Sequence, residues 1–245
     1  MIDKVLFEAL CESLKAEESL GFSTYNEKRL HMVLKRSISD DLTSHERQVG
    51  RFVADVFDGE RIWEIQTASL YPLVKKIEYY LENTDFSITV IKPLISSKRI
   101  LRVDKESGEI LRSRRSPKKA GEGELLSELY WLSDYLLNER LEVMALFIEA
   151  DEFRYSDEAV RYRKSGKYDS ELFPRRIIVQ RRFCGAESFS YLLEGCPPEF
   201  SAKEFARIRG LRGRAVYSTL NLLCRLSLLK REKTESKSYI YSIVK

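Results

Sequence analysis

One stretch constrains the fold more than any other: residues 51–67, RFVADVFDGERIWEIQT. Two short runs rich in β-branched and aromatic residues flank Asp58-Gly59, a strong hairpin signal. Side chains alternate along a strand with period two, so Glu64 and Gln66 share a face of the second run. A loop of two or four residues places Asp55 of the first run on that same face, and a four-residue loop, Asp58 to Arg61, puts it directly opposite Glu64, with Cβ atoms about 4.5–5.5 Å apart. Asp58 itself belongs to the turn. Two carboxylates facing each other across a sheet repel. The pairing makes chemical sense with a divalent cation between them, because Mg²⁺ takes one or two carboxylates plus waters and phosphate oxygens. Such an ion generates a hydroxide nucleophile and stabilises charge on a scissile phosphate. A plainer reading stays open, in which both acids are polar residues on the exposed face of a hairpin.

The surrounding elements set the hairpin in a mixed α/β domain. Residues 3–20 predict a helix with Val5, Leu6, Leu10, Leu14 and Ala16 on one face, broken at Gly21. Asn26 caps a second helix, NEKRLHMVLKRSI, whose apolar face is Leu30, Val33, Leu34 and Ile38. Glu27 in its first turn is a third candidate carboxylate, at a place where the helix dipole also favours an acid. Residues 40–45 read as a loop. After the hairpin, SLYPLVKKIEYYL predicts a helix with Pro72 in its first turn. FSITVIKPLI predicts a strand whose Pro93 favours an edge or a bend. RILRVDKESGEILRSRRSP predicts a second hairpin turning at Ser107-Gly108. It leads into a basic loop, and Arg112, Arg114, Arg115, Lys118 and Lys119 there are candidates to follow a phosphate backbone. A long helix, ELLSELYWLSDYLL, and the strand LEVMALFIEADEFR complete a domain of residues 1–155. Residues 156–185, rich in Tyr and Arg, read as a connector with a short strand at Ile177–Val179.

The last segment, 186–245, is distinct in charge. From Ser201 onward it holds 11 Lys/Arg against 3 Asp/Glu, although the whole chain has a net charge of only +4. A polyanionic partner follows from that asymmetry. Ser201-Ala202-Lys203-Glu204 is a capping box opening a short helix that turns at Gly210. A longer helix starts near Arg214 with Val216, Leu220, Leu223 and Leu226 on one face. KREKTESKS then separates Leu228-Leu229 from the alternating strand SYIYSIV. The order resembles a winged helix-turn-helix. That resemblance implies Arg212, Arg214, Tyr217 and Ser218 approaching bases, and Lys230, Arg231, Lys233 and Lys237 meeting the DNA backbone. Winged helices also serve as protein-interaction modules, so that role stays open.

The earlier region resembles a second family. A helix bearing Glu27, a hairpin carrying Asp55 and then Glu64-Ile65-Gln66, the helix SLYPLVKKIEYYL and the strand FSITVIKPLI follow the order of the PD-(D/E)XK nuclease superfamily, over roughly residues 24–95. The resemblance implies an α/β (α+β) fold, a restriction-endonuclease-like mixed sheet flanked by helices, here joined to a small winged-helix domain. It also implies a metal-dependent DNA endonuclease hydrolysing phosphodiester bonds. Asp55, Glu64 and the Ile65 carbonyl would hold Mg²⁺ or Mn²⁺, Glu27 would support the site, and Gln66 would position the attacking water. Two departures matter. Ala54 stands where the family has proline, and Gln66 replaces its lysine, giving hydrogen bonds without charge. Lys75 or Lys76 on the next helix is the candidate to restore that charge. The departures keep a second reading open, a non-enzymatic DNA-binding regulator with a degenerate nuclease core. Cutting both strands of a duplex calls for two sites, which points to a homodimer.

Composition limits the setting. Hydrophobic residues make up 43% of the chain, enough for a proper core. No apolar run approaches about 18 residues, and the amphipathic first 20 residues fit neither a secretory signal nor a transit peptide. Cys11, Cys184, Cys196 and Cys224 are scattered, and only His31 and His45 accompany them, so reduced thiols rather than a zinc site are expected. The expectation is a cytoplasmic protein without a membrane partner, associated with the nucleoid when bound to DNA.

Overall fold

Helices α1 (Lys4–Glu18) and α2 (Asn26–Ile38) precede a meander of three strands, β1 (His45–Val49), β2 (Phe52–Phe57) and β3 (Arg61–Ile65). Helix α3 (Val74–Asn83) crosses over to β4 (Ser87–Asp104), which turns back into β5 (Ile110–Arg115). Helix α4 (Glu122–Leu129) leads to β6 (Leu141–Ser156) and β7 (Asp169–Phe183). This computed structural model describes residues 1–18, 26–117, 119–156, 169–234 and 238–244, with side chains described except at 14–18, 26–28, 156 and 169. The strands form one mixed sheet in the order β1-β2-β3-β4-β6-β7, with β5 paired to β4. β4 runs parallel to both β3 and β6, whereas the other neighbours are antiparallel.

Each face of the sheet buries its own apolar set. Ile62, Ile88, Val90, Leu94 and Val143 meet Ile77 and Tyr80 of α3 and Leu125, Leu126 and Leu129 of α4. Ile65, Ile91, Met144, Leu146 and Ile148 meet Phe7 and Cys11 of α1 and Leu30, Val33 and Leu34 of α2. The result is helix, sheet, helix in three layers. The α2 face is the one its periodicity predicts. On α1 the buried pair is Phe7 and Cys11, while Val5 is 79% exposed. The helix therefore sits rotated from the Val5-based face expected of it.

Four further expectations are corrected. Pro93 lies in a central strand, so of the expected edge or bend the edge is excluded, and the strand is irregular just beyond it, between Ile95 and Ser97. Ser87 N–H donates to Glu60 in the direction of β3, and Ile88 N–H donates to Arg140 on the β6 side. Odd-numbered residues of β4 thus face β3, which ends at Ile65 opposite Ile91. Pro93 has no ladder partner on that flank to disappoint. The supposed connector contains β7, 15 residues paired along β6, with Ile177 and Phe183 buried. Register shifts near Phe147/Ile148 and Glu149/Ala150 hide its alternation. Arg112, Arg114 and Arg115 lie on strand β5 rather than in a loop. The stretch 40–45 is a 3-10 turn, Leu42–Ser44, capped by the Asp41 side chain and running into β1.

The C-terminal segment begins with a 3-10 helix, Ala186–Leu193, followed by β8 (Glu199–Ser201), α5 (Ala202–Arg209), α6 (Arg214–Arg225), β9 (Leu229–Lys233) and β10 (Tyr239–Ile243). The strands form a small antiparallel sheet in the order β8-β10-β9. Ser201 and Glu204 make the reciprocal capping box, and Gly210 closes α5 in the left-handed conformation at φ 64°. Both features follow from local sequence.

This segment is not a separate body. Phe205, Val216, Leu220, Leu223 and Tyr241 belong to the same continuous core as Leu126, Leu129 and Ile77. α4 packs directly on α6: a Cβ added at Gly123 would lie 3.2 Å from Ala215 Cβ and 3.3 Å from Leu211 Cδ2. Arg225 and Asp134 form an ion pair at the margin. Gly123→Val should overpack this seam and lower stability by about 1–3 kcal/mol. Urea unfolding would read it as a lower midpoint at unchanged slope.

Candidate functional site

The two-residue register Val56↔Trp63 and Phe57↔Ile62 matches a four-residue loop from Asp58 to Arg61. Asp58 Oδ1 accepts the N–H groups of Glu60 and Arg61, and Gly59 takes φ 101°, so the turn is built from its own residues. By this register Asp55 stands opposite Glu64. The ladder stops there. Continued regularly, it would send the Ile65 N–H to the Ala54 carbonyl. Instead Ile65 N–H donates to Asp55 Oδ2 at 2.7 Å, and the neighbouring Val53 carbonyl accepts from Lys76 Nζ at 2.6 Å. The strands part at the two carboxylates, and site side chains take up freed backbone groups.

Each carboxylate is held from a different layer. His31 of α2 places Nε2 3.3 Å from Asp55 Oδ2. From α3, Lys76 Nζ lies 2.6 Å from Glu64 Oε2, and Tyr80 OH donates to Glu64 Oε1 at 3.3 Å. Lys76 and Tyr80 are one helical turn apart and so share a face. Glu64 is 2% exposed. Burial pushes its carboxyl up, the Asp55 charge adds to this, and Lys76 and Tyr80 only partly offset it, leaving a value of about 7. Asp55 moves the other way. Burial raises it, but hydrogen bonds from His31 and the Ile65 N–H, with the charges of His31 and Lys76, hold it below the usual carboxylate range. A pair of acids driven apart in acidity at one place is the pattern of a working site.

Lys92 adds a further cation. It is 3% exposed on β4, one residue beyond the Ile65↔Ile91 pair, and its ammonium donates to the Thr67 carbonyl at 3.2 Å and to the Ala68 carbonyl. Burial lowers its pKa against the pull of Glu128 and Glu124.

The expected residues sort as follows. Asp55 and Glu64 are brought together. Of the two lysines, Lys76 reaches Glu64, while Lys75 is exposed. Lys75 is therefore corrected as a site residue: the buried stripe Leu73-Ile77-Tyr80 turns position 75 to solvent. Gln66 is partly buried and joins the sheet through its N–H to the Ile91 carbonyl at 2.9 Å. The side chain of Glu27, and Lys118 and Lys237, lie outside the described residues. Arg112, Arg114, Arg115, Lys119, Arg212, Arg214, Lys230, Arg231 and Lys233 are exposed, and Tyr217 is 61% exposed. Ser218 is corrected: it is buried on α6, which is covered by α4 and its own sheet, and cannot reach a groove. His31, Tyr80 and Lys92 were not singled out from sequence. The i,i+4 spacing of Lys76 and Tyr80 is the signal that could have found one of them.

The residues present suit a hard divalent cation. Asp55 and Glu64 supply oxygen donors at the point where the ladder opens, and Mg²⁺ needs only one or two such carboxylates when water and phosphate complete its shell. Among the described residues no group of three or more His, Cys, Asp or Glu side chains is gathered as a metal-binding set. No helix among them is long and apolar enough to cross a membrane.

Residues 28–184 match the family described as "Domain of unknown function (DUF8091)", more than half of the chain. The chain belongs to that family. The DUF8091 segment starts within α2 and ends with β7, so it takes in the entire large sheet with Asp55, Glu64, Lys76 and His31. It leaves the C-terminal segment outside. No curated protein and no solved structure matches the chain.

Proposed function

We propose that the chain is a metal-dependent endonuclease-like protein acting on DNA, with a restriction-endonuclease-like core and a C-terminal winged helix. The observation that carries this reading is the Asp55–Glu64 pair at the opened end of the β2–β3 ladder, within the order α2-β1-β2-β3-α3-β4. Asp55 and Glu64 would hold Mg²⁺ or Mn²⁺, and the bound cation would supply Lewis-acid activation of water and of the phosphate. Lys76 provides the positive charge that Gln66 lacks, and Tyr80 and His31 orient the two carboxylates. The succession of 3-10 helix, β8, α5, α6, β9 and β10, and the exposed Arg212, Arg214, Tyr217, Lys230 and Arg231, support DNA as partner of the C-terminal segment. A homodimer and a cytoplasmic, nucleoid-associated setting belong to the same reading.

One observation favours the second reading, a DNA-binding regulator with a degenerate core. Both oxygens of Glu64 already accept hydrogen bonds, and its partner Lys76 neutralises it without a metal. Incubating the protein with supercoiled plasmid in Mg²⁺, Mn²⁺ or EDTA, beside Glu64→Ala and with binding scored by gel shift, separates the two. Metal-dependent cutting lost in the variant supports the nuclease. Tight binding without cutting under any metal overturns it and leaves the regulator.

A further inference from the structure

The turn that follows Gln66, just beyond the acidic pair, is held from two sides. Lys92 reaches it from β4. The pairs Glu64↔Val90 and Ile65↔Ile91, with the Gln66 N–H donating to the Ile91 carbonyl, set Lys92 next to Gln66 across the two strands. Val90 and Leu94 pack with Ile77 and Tyr80 of α3, so alternation puts Lys92 between them on the face that Glu64 occupies. There its ammonium donates to the Thr67 and Ala68 carbonyls. Glu128 reaches the same turn from α4. Its Oε2 accepts the Ser69 hydroxyl at 2.9 Å and the Leu70 N–H at 2.7 Å. Residues 67–70 are thus fixed by one cation from the sheet and one anion from a helix.

Lysine is rarely so buried unless paired, yet Lys92, at 3% exposure, meets backbone carbonyls rather than a carboxylate. What it meets is the first turn beyond the strand that carries Glu64. An extended residue points its own N–H and carbonyl to one flank. The Ile65 N–H goes to Asp55, so the Ile65 carbonyl faces the Asp55 flank, while the Gln66 N–H goes to β4. Both orientations depend on the course of the chain immediately after them, and Lys92 and Glu128 fix that course. We infer that Lys92 and Glu128 are positioning residues of the acidic site, clamping the 67–70 turn so that the Ile65 carbonyl and Gln66 stay in place beside Asp55 and Glu64. The role rests on the metal-dependent reading of that site. Each residue acts through the turn, not on the substrate. A misplacement of about 1 Å is enough to cost roughly a hundredfold in rate.

The test compares the full chain with Glu128→Ala, Glu128→Gln and Lys92→Met. Glu124→Ala is the control, because Glu124 acts on the Lys92 charge from an exposed position and takes no hydrogen bond from the turn. Glutamine keeps an acceptor for Ser69 and Leu70 without the charge. Hydrogen exchange of residues 66–70 in EDTA reads the clamp, Mn²⁺ calorimetry reads the metal site, and plasmid cutting in Mn²⁺ gives kcat and KM. In Glu128→Ala, exchange should quicken, Mn²⁺ affinity and kcat should each fall about tenfold or more, and KM for DNA should hold. Glu128→Gln should restore all three. Lys92→Met should match Glu128→Ala. Circular dichroism melting shows whether Lys92→Met folds, and where it does not, the two Glu128 variants decide. Unchanged exchange in Glu128→Ala overturns the clamp. Quickened exchange with parental kcat and Mn²⁺ affinity overturns the positioning role and leaves the nuclease reading standing. A parent that neither binds Mn²⁺ nor cuts overturns the nuclease reading itself, and this role with it.

Discussion

Glu64→Gln is expected to flatten, in EDTA, the dependence of stability on pH, and on the proposed nuclease reading to silence metal-dependent cleavage. The effect on cleavage should exceed a hundredfold in rate, since on that reading Glu64 is itself a metal ligand and residues merely supporting one contribute about 10–100-fold. The effect on stability follows from linkage. The Glu64 carboxyl titrates at 4.5 in its ordinary state and at about 7 in the fold. Between those values the folded chain holds a proton that the unfolded chain has released, so stability falls as pH rises across this window and levels off above it. At about 1.36 kcal/mol per unit the parent should lose about 3 kcal/mol from pH 4.5 to 7 through this group. Denaturant titrations of parent and variant at several pH values give the difference, which isolates Glu64 from other titrating groups. Parallel pH profiles would remove the buried, proton-holding acid from the account of the site.

Lys76→Met should be the most damaging change near the site, costing about 3–5 kcal/mol at pH 8, because it strands a buried carboxylate without its cation. The ammonium has two partners, Glu64 Oε2 and the Val53 carbonyl, each at 2.6 Å. In a Glu64→Gln background the same change should cost only about 1 kcal/mol, the value of the lost Val53 hydrogen bond. Lys75→Met, one residue away on the exposed face, should stay within about 0.5 kcal/mol. A double-mutant cycle from urea unfolding checks all three. Additive costs for Lys76 and Glu64 would mean that the ion pair does not couple them.

What was legible in the sequence was local. Asp58-Gly59 and the flanking alternation gave the turn and put Asp55 and Glu64 on one face, while the four-residue length that sets them opposite comes from the observed register. Ser201–Glu204, Gly210 and the apolar face of α2 were legible for the same reason: each signal lies within a turn or two of the feature it sets. The choice between Lys75 and Lys76 depended on how α3 rotates against the sheet, and the Leu73-Ile77-Tyr80 stripe decides it only once that helix is packed. His31 reaches Asp55 from a helix that precedes the hairpin, and no spacing rule links the two. β7 was legible only as the short strand Ile177–Val179, because Arg175, Arg176, Arg181 and Arg182 interrupt its apolar alternation and its pairing with β6 slips twice. Continuous strands with interrupted alternation read as loop. The shared core across α4 and α6 was likewise invisible, since a helix face does not declare its partner.

That α4–α6 seam makes the molecule a ruler. With Gly123 against Ala215 and one apolar core running through both parts, Arg214 and Tyr217 on α6 are packed together with the elements that carry the acids on β2 and β3. The span from one to the other is set by that packing. A nucleic acid gripped at Arg214 and Tyr217 would meet Glu64 at one fixed offset. Any scissile phosphate would then be chosen by measured distance from the grip as much as by the bases around it.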